Sequence, residues 1–450
     1  MKEINLTEGS ILQKLIRFSL PMIAGNLLQQ VYNLVDTLIV GKCVGSDALA
    51  AVGSSYTLMT FITSIIIGLC MGSGAFFSTD YGAGSEKRLR EDIWHSFWFI
   101  LAVSGAICLA IYPGMELILR LLNTPDELME LTREYVTVVF AGIIFVCLYN
   151  FFSYLLRAMG NAMVPLSFLA VSSVMNIVLD LWFVLGLKLG VAGAAAATVV
   201  SQAAAGVGIA VYSVLRLPVL RFSRDDIRWN PRRMKEIILN DFATGVQQSV
   251  MNFGILMIQG LVNSFGAVVM ASFAAAVKID TIAYMPAQEF GNAYSLFVSQ
   301  NYGAGKPDRI RKGTRISFAV SAVFCAAMSI LILIFAGELM GLFVDADETL
   351  IIAEGVRYLR IEGAMYIGIG VLFLWYGYFR GVNKPHISLI LTVISLGTRV
   401  ALSYALAPNT PLGVTAIWFS IPIGWLLADA AGLIFSRACR SDVGNDSNNI

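Results

Sequence analysis

Twelve stretches of the chain stay predominantly apolar for about the 20 residues that a hydrocarbon layer of about 30 Å demands of a helix. Their approximate limits are Phe18–Val40, Leu49–Ser78, Ile93–Tyr112, Leu131–Leu156, Met163–Leu185, Val191–Leu215, Ile237–Val262, Val268–Val298, Ile316–Phe335, Leu350–Phe379, Ile387–Ala407 and Leu412–Phe435. Polar, Gly- or Pro-containing segments separate them. The pattern predicts an all-α polytopic membrane protein with twelve transmembrane helices. Composition agrees: 57% of the 450 residues are hydrophobic and only 14% charged, far from the balance of a soluble domain. The first apolar run exceeds the core of a signal peptide and lacks a small-x-small cleavage pattern, so it reads as a retained first span.

Charge informs through its placement. With the amino terminus inside, the inner segments hold 23 of the 31 basic residues, including Lys87, Arg88, Arg90, the cluster from Arg216 to Lys235 and the group from Lys306 to Arg315. The outer segments hold six, and Lys278 and Arg399 fall within spans. This bias predicts that both termini are cytoplasmic. A net charge of +1 gives no reason to expect a nucleic-acid partner.

The chain also repeats itself. Gln29-Gln30 recurs as Gln247-Gln248, the DYGAG run at Asp80 as NYGAG at Asn301, Arg157 as Arg380, and Gly190-Val191 as Gly413-Val414, at offsets of 218 to 223. The offset contains six spans, an even number, so both copies share one orientation and their pseudo-two-fold axis follows the membrane normal. The expected organisation is an amino-terminal lobe over 1–217, a basic linker over 218–235 and a carboxy-terminal lobe over 236–450. In transporters built this way the substrate cavity is expected between the lobes.

Several kinds of chemistry are disfavoured. The six cysteines form no CxxC pair, and five of them lie within or beside apolar runs as small core residues. His95 and His386 stand far apart without an HExxH pattern, so no zinc site is expected. GAGK at residues 303–306 fails as a phosphate loop, because Gln300 and Pro307 occupy the positions of the first glycine and the Ser or Thr. The one adjacent acidic pair, Asp225-Asp226, lies in the basic linker rather than in a metal-binding motif. An enzyme is not expected, nor any cofactor.

Polar residues inside spans carry more information, because a lone carboxylate at the centre of a bilayer costs about 2.5–3.5 kcal/mol. Asp36 lies in the first span with Tyr32 and Asn33 one turn earlier, Asn176 and Asp180 share a face of the fifth, and Thr198 and Gln202 share a face of the sixth. Two carboxylates in one dry site oppose each other's charge. A proton, or a Na⁺ held also by Asn and Thr oxygens, would relieve the repulsion, which makes the pair a candidate coupling device; the alternative is a structural hydrogen-bond network between helices. The second half lacks obvious carboxylate counterparts and places Arg399 opposite Asn176, so the cation site is expected to be one-sided. Candidate substrate contacts are Gln29, Tyr32, Asn33 and Gln202, with Gln248, Asn252 and Gln259 on one face of the seventh span. Met285 and Glu289 of the eighth span join them, Glu289 sharing a face with Lys278. Asp241 is expected at the cytoplasmic surface.

Taken with the Asp36 stretch, the paired YGAG turns, the RAMGN and RGVNKP segments at Arg157 and Arg380 and the NIVLD run from Asn176 to Asp180, the chain resembles the multidrug and toxic compound extrusion (MATE) family. It looks most like the DinF-like bacterial branch. The resemblance implies a V-shaped, twelve-helix antiporter of the bacterial inner membrane that expels organic cations, drugs or toxic metabolites, in exchange for Na⁺ or H⁺. It also implies that Asp36, Asn176, Asp180 and Thr198 bind the coupling cation. Membrane lipid is the surrounding partner, and the chain is expected to act as a monomer. The carboxylate that another branch places in the middle of the seventh span is missing, Gln259 or Asn252 standing in that region. A flippase for lipid-linked oligosaccharides, built from related repeats, is the alternative, and arginines lining the cavity would favour it.

Overall fold

The computed structural model describes residues 4–121, 124–223, 226–227 and 229–446. Arg224, Asp225 and Arg228 of the expected linker lie outside the described residues. Among the described residues fourteen α-helices follow one another: α1 (Ile11–Cys43), α2 (Ser46–Gly82), α3 (Glu86–Leu121), α4 (Asp126–Ala141), α5 (Ile143–Ala158), α6 (Met163–Asp180), α7 (Gly190–Arg216), α8 (Pro231–Asn263), α9 (Ala267–Gly303), α10 (Pro307–Met340), α11 (Thr349–Gly363), α12 (Tyr366–Gly381), α13 (Pro385–Leu406) and α14 (Val414–Asp446). A π-helical turn, Leu181–Gly186, continues α6.

Eight of these rods are long and apolar enough to cross a membrane, and the bent pairs α4–α5 (43°) and α11–α12 (52°) each supply one more. The remaining two of the twelve expected spans are α1 and α8, each 33 residues long. Their length suffices for a bilayer, but their asparagines, glutamines and acids dilute the apolar run, as expected of helices that carry polar faces. The most apolar helix, α10, has only 22% of its most hydrophobic window buried. In water such a surface would drive aggregation; in hydrocarbon it is the natural exterior, and the fold is that of a multi-pass membrane protein.

The helices divide into two compact units. The first comprises Leu20–Gly245 with the segment ending at Asn5, and the second Leu6–Ser19 with the chain from Val246 onward. These limits differ from the expected lobes, because the first helix of each repeat, α1 and α8, begins in one unit and continues in the other. Thus Leu6 donates its backbone N–H to Gln300 Oε1 at 3.1 Å, and Arg309 donates to the carbonyls of Leu6, Glu8 and Gly9 at 2.7–3.2 Å. All of these lie in the second unit.

The repeat is written into the backbone. Positive φ occurs at Gly45 and Gly266, Gly84 and Gly305, Gly160 and Asn383, and Gly190 and Gly413, each pair 221 or 223 residues apart. The two YGAG turns end α2 and α9 in the same way. Ser85 N–H returns to Asp80 O at 3.1 Å and Lys306 N–H to Asn301 O at 2.9 Å, and the left-handed glycine between lets the chain reverse. Pro307 and Pro385 then open α10 and α13, where a missing N–H leaves no bond broken.

Within each unit, small residues bring helices close. A Cβ at Gly377 of α12 would sit 2.5 Å from Gly291 O of α9, and one at Gly206 of α7 would sit 2.4 Å from Phe145 O of α5. Such contacts substitute for a hydrophobic effect that lipid does not supply. Gly377→Leu is expected to destabilise the protein by about 1–3 kcal/mol through overpacking, seen as a lower apparent melting temperature in detergent. Gly397→Ala, where nothing lies within 4 Å of the added methyl, is expected to leave it unchanged or slightly higher.

Candidate cation site

Helices α1 and α6 touch where a Cβ at Gly25 would meet Leu166 and Leu169 at 3.6 Å. Counting 11 residues on from Gly25 gives Asp36, and 11 on from Leu169 gives Asp180. Eleven residues are three helical turns, so two helices running in the same sense bring both carboxyls to one level and one face. The structure places the two carboxyl groups within hydrogen-bonding reach of each other. Asp180 is fully buried, and neither of its oxygens has a hydrogen-bond donor; the same holds for Oδ1 of Asp36.

Asn176 stands one turn before Asp180, 2% exposed, with both amide atoms unpartnered. Helix α7 runs the opposite way beside α6, with Gly208 against Phe168 and Gly193 against Phe183. This register sets Thr198 and Gln202 opposite Asn176. Gln202 Oε1 is enclosed and unpartnered, whereas Thr198 spends its hydroxyl proton on Ala194 O at 3.0 Å and keeps its oxygen lone pairs. Asp36, Asn176, Asp180 and Thr198 therefore belong to one unit. Tyrosines complete the surroundings: Tyr32 of α1 and Tyr135 of α4 both face the two acids. Sequence reasoning missed Tyr135, which lies in the fourth span with no carboxylate or amide side chain one turn away to mark it.

Immediately after Asp180 the helix loosens. Leu187 N–H reaches back five residues to Trp182 O at 2.9 Å, the wider pitch that defines the π turn. Such turns recur at functional sites, and here it releases α6 from α-helical register directly beside a buried acid.

The remaining polar candidates divide between the units. Gln29, Tyr32, Asn33 and Gln202 lie in the first, and Gln29 is exposed. In the second, Gln248 and Asn252 are half-buried, and Gln259 donates to Asn263 Oδ1 at 2.8 Å within its own helix. Met285 is 2% exposed and packs inside the unit; Glu289 is 8% exposed and accepts from Asn292 Nδ2 at 3.2 Å. Lys278, expected on the face of Glu289, is exposed. Asp241, expected at the surface, is fully buried in the first unit, where Ser73 Oγ and Asn240 Nδ2 donate to it. The glycines of α2 explain this, since a Cβ at Gly72 would meet Asp241 Oδ1 at 2.7 Å and one at Gly68 would meet Gly245 Cα at 2.6 Å.

A second polar knot closes the same unit beside the first YGAG turn. Arg233, at the start of α8, donates to both oxygens of Asp92 at 2.7 and 2.6 Å, to Asp80 at 3.3 Å and to Glu236 at 2.9 Å. Its guanidinium also lies 5.1 Å from the centre of the Phe76 ring. Nearby, Asp226 accepts from the backbone and hydroxyl of Ser223, each at 2.7 Å, which holds its carboxyl below the usual carboxylate range. A cavity of about 380 Å³ lies elsewhere, in the second unit, lined by Ile11, Gly305, Lys306, Pro307, Asp308, Arg309 and Lys312. Three basic side chains against one acid make its walls unsuited to a cation.

The profile of the MatE family matches the chain twice, over residues 21–182 and 243–405. The chain belongs to the MatE family. The two matches begin 222 residues apart, in agreement with the repeat. Among its MatE-like relatives is a probable multidrug resistance protein of Bacillus subtilis, YpnP, 30% identical over 438 residues with 97% of each chain covered. Another is the multidrug export protein MepA of Staphylococcus aureus, 22% identical with 98% of this chain and 97% of the relative covered. The fold matches a MATE crystal structure in a bent conformation with a TM-score of 0.92, at 25% identity over 100% of this chain and 99% of the other. A MATE structure in complex with MaL6 superposes with a TM-score of 0.92 at 24% identity, covering 99% and 100%.

Proposed function

We propose that this MatE member is a cation-coupled multidrug efflux antiporter that exports organic cations in exchange for Na⁺ or H⁺ by alternating access. The observation that carries this reading is the meeting of Asp36 and Asp180 inside one unit with no basic side chain among their electrostatic partners. A buried acid is tolerated when it is paired, hydrogen-bonded or neutralised; neither oxygen of Asp180 has a donor, so a mobile positive charge, a proton or a Na⁺, is what supports the couple. Asn176, with both amide atoms unpartnered, supplies an oxygen for a Na⁺ or a donor for a carboxylate. The names of the MatE relatives, a resistance protein and an export protein, support drugs as cargo. The basic residues gathered on one set of connections support an inner-membrane orientation with both termini cytoplasmic.

In this cycle the external cation occupies Asp36 and Asp180, weakens the hold on a cationic guest and releases it outside. The cation then leaves to the cytoplasm. One charge moving down 100 mV yields about 2.3 kcal/mol, and a tenfold ion gradient adds about 1.4 kcal/mol. Together they sustain a gradient of several hundred-fold in exported guest under one-for-one exchange in which no other charge is moved. Electroneutral exchange leaves only the chemical part.

The test is efflux of a fluorescent cationic dye from vesicles holding the purified protein, with Na⁺ and proton gradients imposed separately. One of the two gradients is expected to accelerate efflux, and Asp180→Asn is expected to weaken the Na⁺ dependence or displace the pH profile. Efflux indifferent to both gradients, or a profile that Asp180→Asn leaves unchanged, would reject the reading.

A further inference from the structure

The basic cavity of the second unit has no part in the proposed transport cycle. Lys306, Arg309 and Lys312, spaced three residues apart where α9 gives way to α10, supply its positive charge, and Asp308 is the single acid on its wall. Lys306 Nζ donates to Thr7 O at 3.1 Å, and Arg309 gives four bonds to the carbonyls of Leu6, Glu8 and Gly9. Those acceptors are neutral, so they fix the side chains without cancelling their charge. Asp308 stands 3.9 Å from Arg311, and Lys312 is exposed with no ion pair among the described residues. Glu8, itself exposed, is the acid whose field reaches Arg309.

Over residues 6–19 and 305–315, seven basic side chains stand against two acidic ones. The first unit treats the matching connection differently. There the buried acids Asp80 and Asp92 grip Arg233; at the repeat offset of 221 the second unit has Asn301 and Gly313, which carry no charge. Its basic surplus therefore remains open to an anion, in a cavity of about 380 Å³, within the range of about 300–1,000 Å³ usual for small-ligand sites.

The same helix indicates which anion. Val323, Ile330 and Ile334 follow Lys312 by 11, 18 and 22 residues, which puts all four on one face of α10, and the three apolar side chains are 57–72% exposed. Val323 lies about 16 Å along the axis from Lys312 at about 1.5 Å per residue, roughly half of a hydrocarbon layer of about 30 Å. A basic foot one leaflet away from an apolar ridge suits a molecule with a phosphate at one end and acyl chains at the other. A free phosphate would use the foot alone.

We propose that the cavity at the foot of α10 binds the phosphate headgroup of an anionic phospholipid, with Lys306 and Lys312 reaching its oxygens and Arg309 adding charge while it holds the Leu6–Gly9 segment. Clusters of Lys and Arg beside a membrane helix draw anionic headgroups in this way, and each ammonium meets the phosphate as a point charge. Occupancy also steadies the segment from Leu6 to Gly9, because Lys306 and Arg309 serve both the lipid and that stretch of backbone.

The test measures lipid binding and requires no transport, so it stands apart from the antiport reading. The purified full chain in detergent is titrated with phosphatidylglycerol, with phosphatidylcholine or with inorganic phosphate; bound lipid is counted by native mass spectrometry, and the apparent melting temperature is followed in parallel. Phosphatidylglycerol is expected to bind in preference to phosphatidylcholine and to raise the melting temperature, as a ligand of the folded state does. Lys312→Gln, at an exposed position where folding is not at stake, is expected to weaken phosphatidylglycerol binding about fivefold, and adding Lys306→Gln to weaken it further. Lys87→Gln, at the exposed basic residue after the first YGAG turn, is expected to leave it unchanged. Binding that Lys312→Gln does not weaken, or that Lys87→Gln weakens as much, would overturn the proposal. So would equal binding of the two lipids. Inorganic phosphate that raises the melting temperature as far as phosphatidylglycerol at the same concentration would reject the lipid in favour of a soluble phosphate.

Discussion

Asp36→Asn should yield a protein that inserts and folds yet expels a cationic dye at least about tenfold more slowly than the parent. The amide matches the carboxylate in size, so packing against α6 survives; what disappears is the negative charge facing Asp180 and the capacity to take up a proton. A tenfold loss corresponds to only about 1.4 kcal/mol, a modest demand on a group said to hold the coupling ion. Size-exclusion profiles of a fluorescent fusion verify folding, and vesicle efflux gives the rate. Full efflux in the folded variant would remove the carboxylate from coupling altogether.

Arg233→Ala should damage stability instead. Asp92 is fully buried and Asp80 is 5% exposed, and both depend on the one guanidinium. Removing it strands two carboxylates, and breaking a buried pair in this way costs about 3–5 kcal/mol. The expected readout is a large drop in apparent melting temperature, or loss of folded protein from the membrane. Arg233→Lys keeps the charge but loses the planar fork that grips both oxygens of Asp92, so it should fall between. Adding Asp92→Asn to Arg233→Ala should recover part of the loss, because the neutral amide needs no counter-charge. If Arg233→Ala melts with the parent, the knot contributes nothing to the fold.

Much of this architecture is legible in the residues. Ten of the twelve expected spans follow from apolar length, and the repeat from matching turns whose positive-φ positions recur in the backbone. Asp36, Asn176 and Asp180 were traceable because helical spacing and the cost of burial point to the same face. What escaped notice has physical reasons too. Asp280 of α9 and Glu362 of α11, each 3% exposed, stand where the first half has Met59 and Val139, so the repeat does not point to them. Glu362 also adjoins the bend between α11 and α12, inside a stretch that hydropathy reads as one continuous span. Lys278 and Glu289 share a helical spacing, but spacing does not say which face the neighbouring helices cover. Asp241 looked like a surface acid because it stands close to the cytoplasmic start of the seventh span, which opens at Ile237; Gly68 and Gly72, distant in the chain and one turn apart, are what admit it to the interior.

The bond from Leu6 to Gln300 spans 294 residues. At about 5–20 residues per second of synthesis, the ribosome delivers the second partner roughly 15–60 s after the first. Leu6 must therefore wait without this partner until the second half of the chain arrives to fasten it.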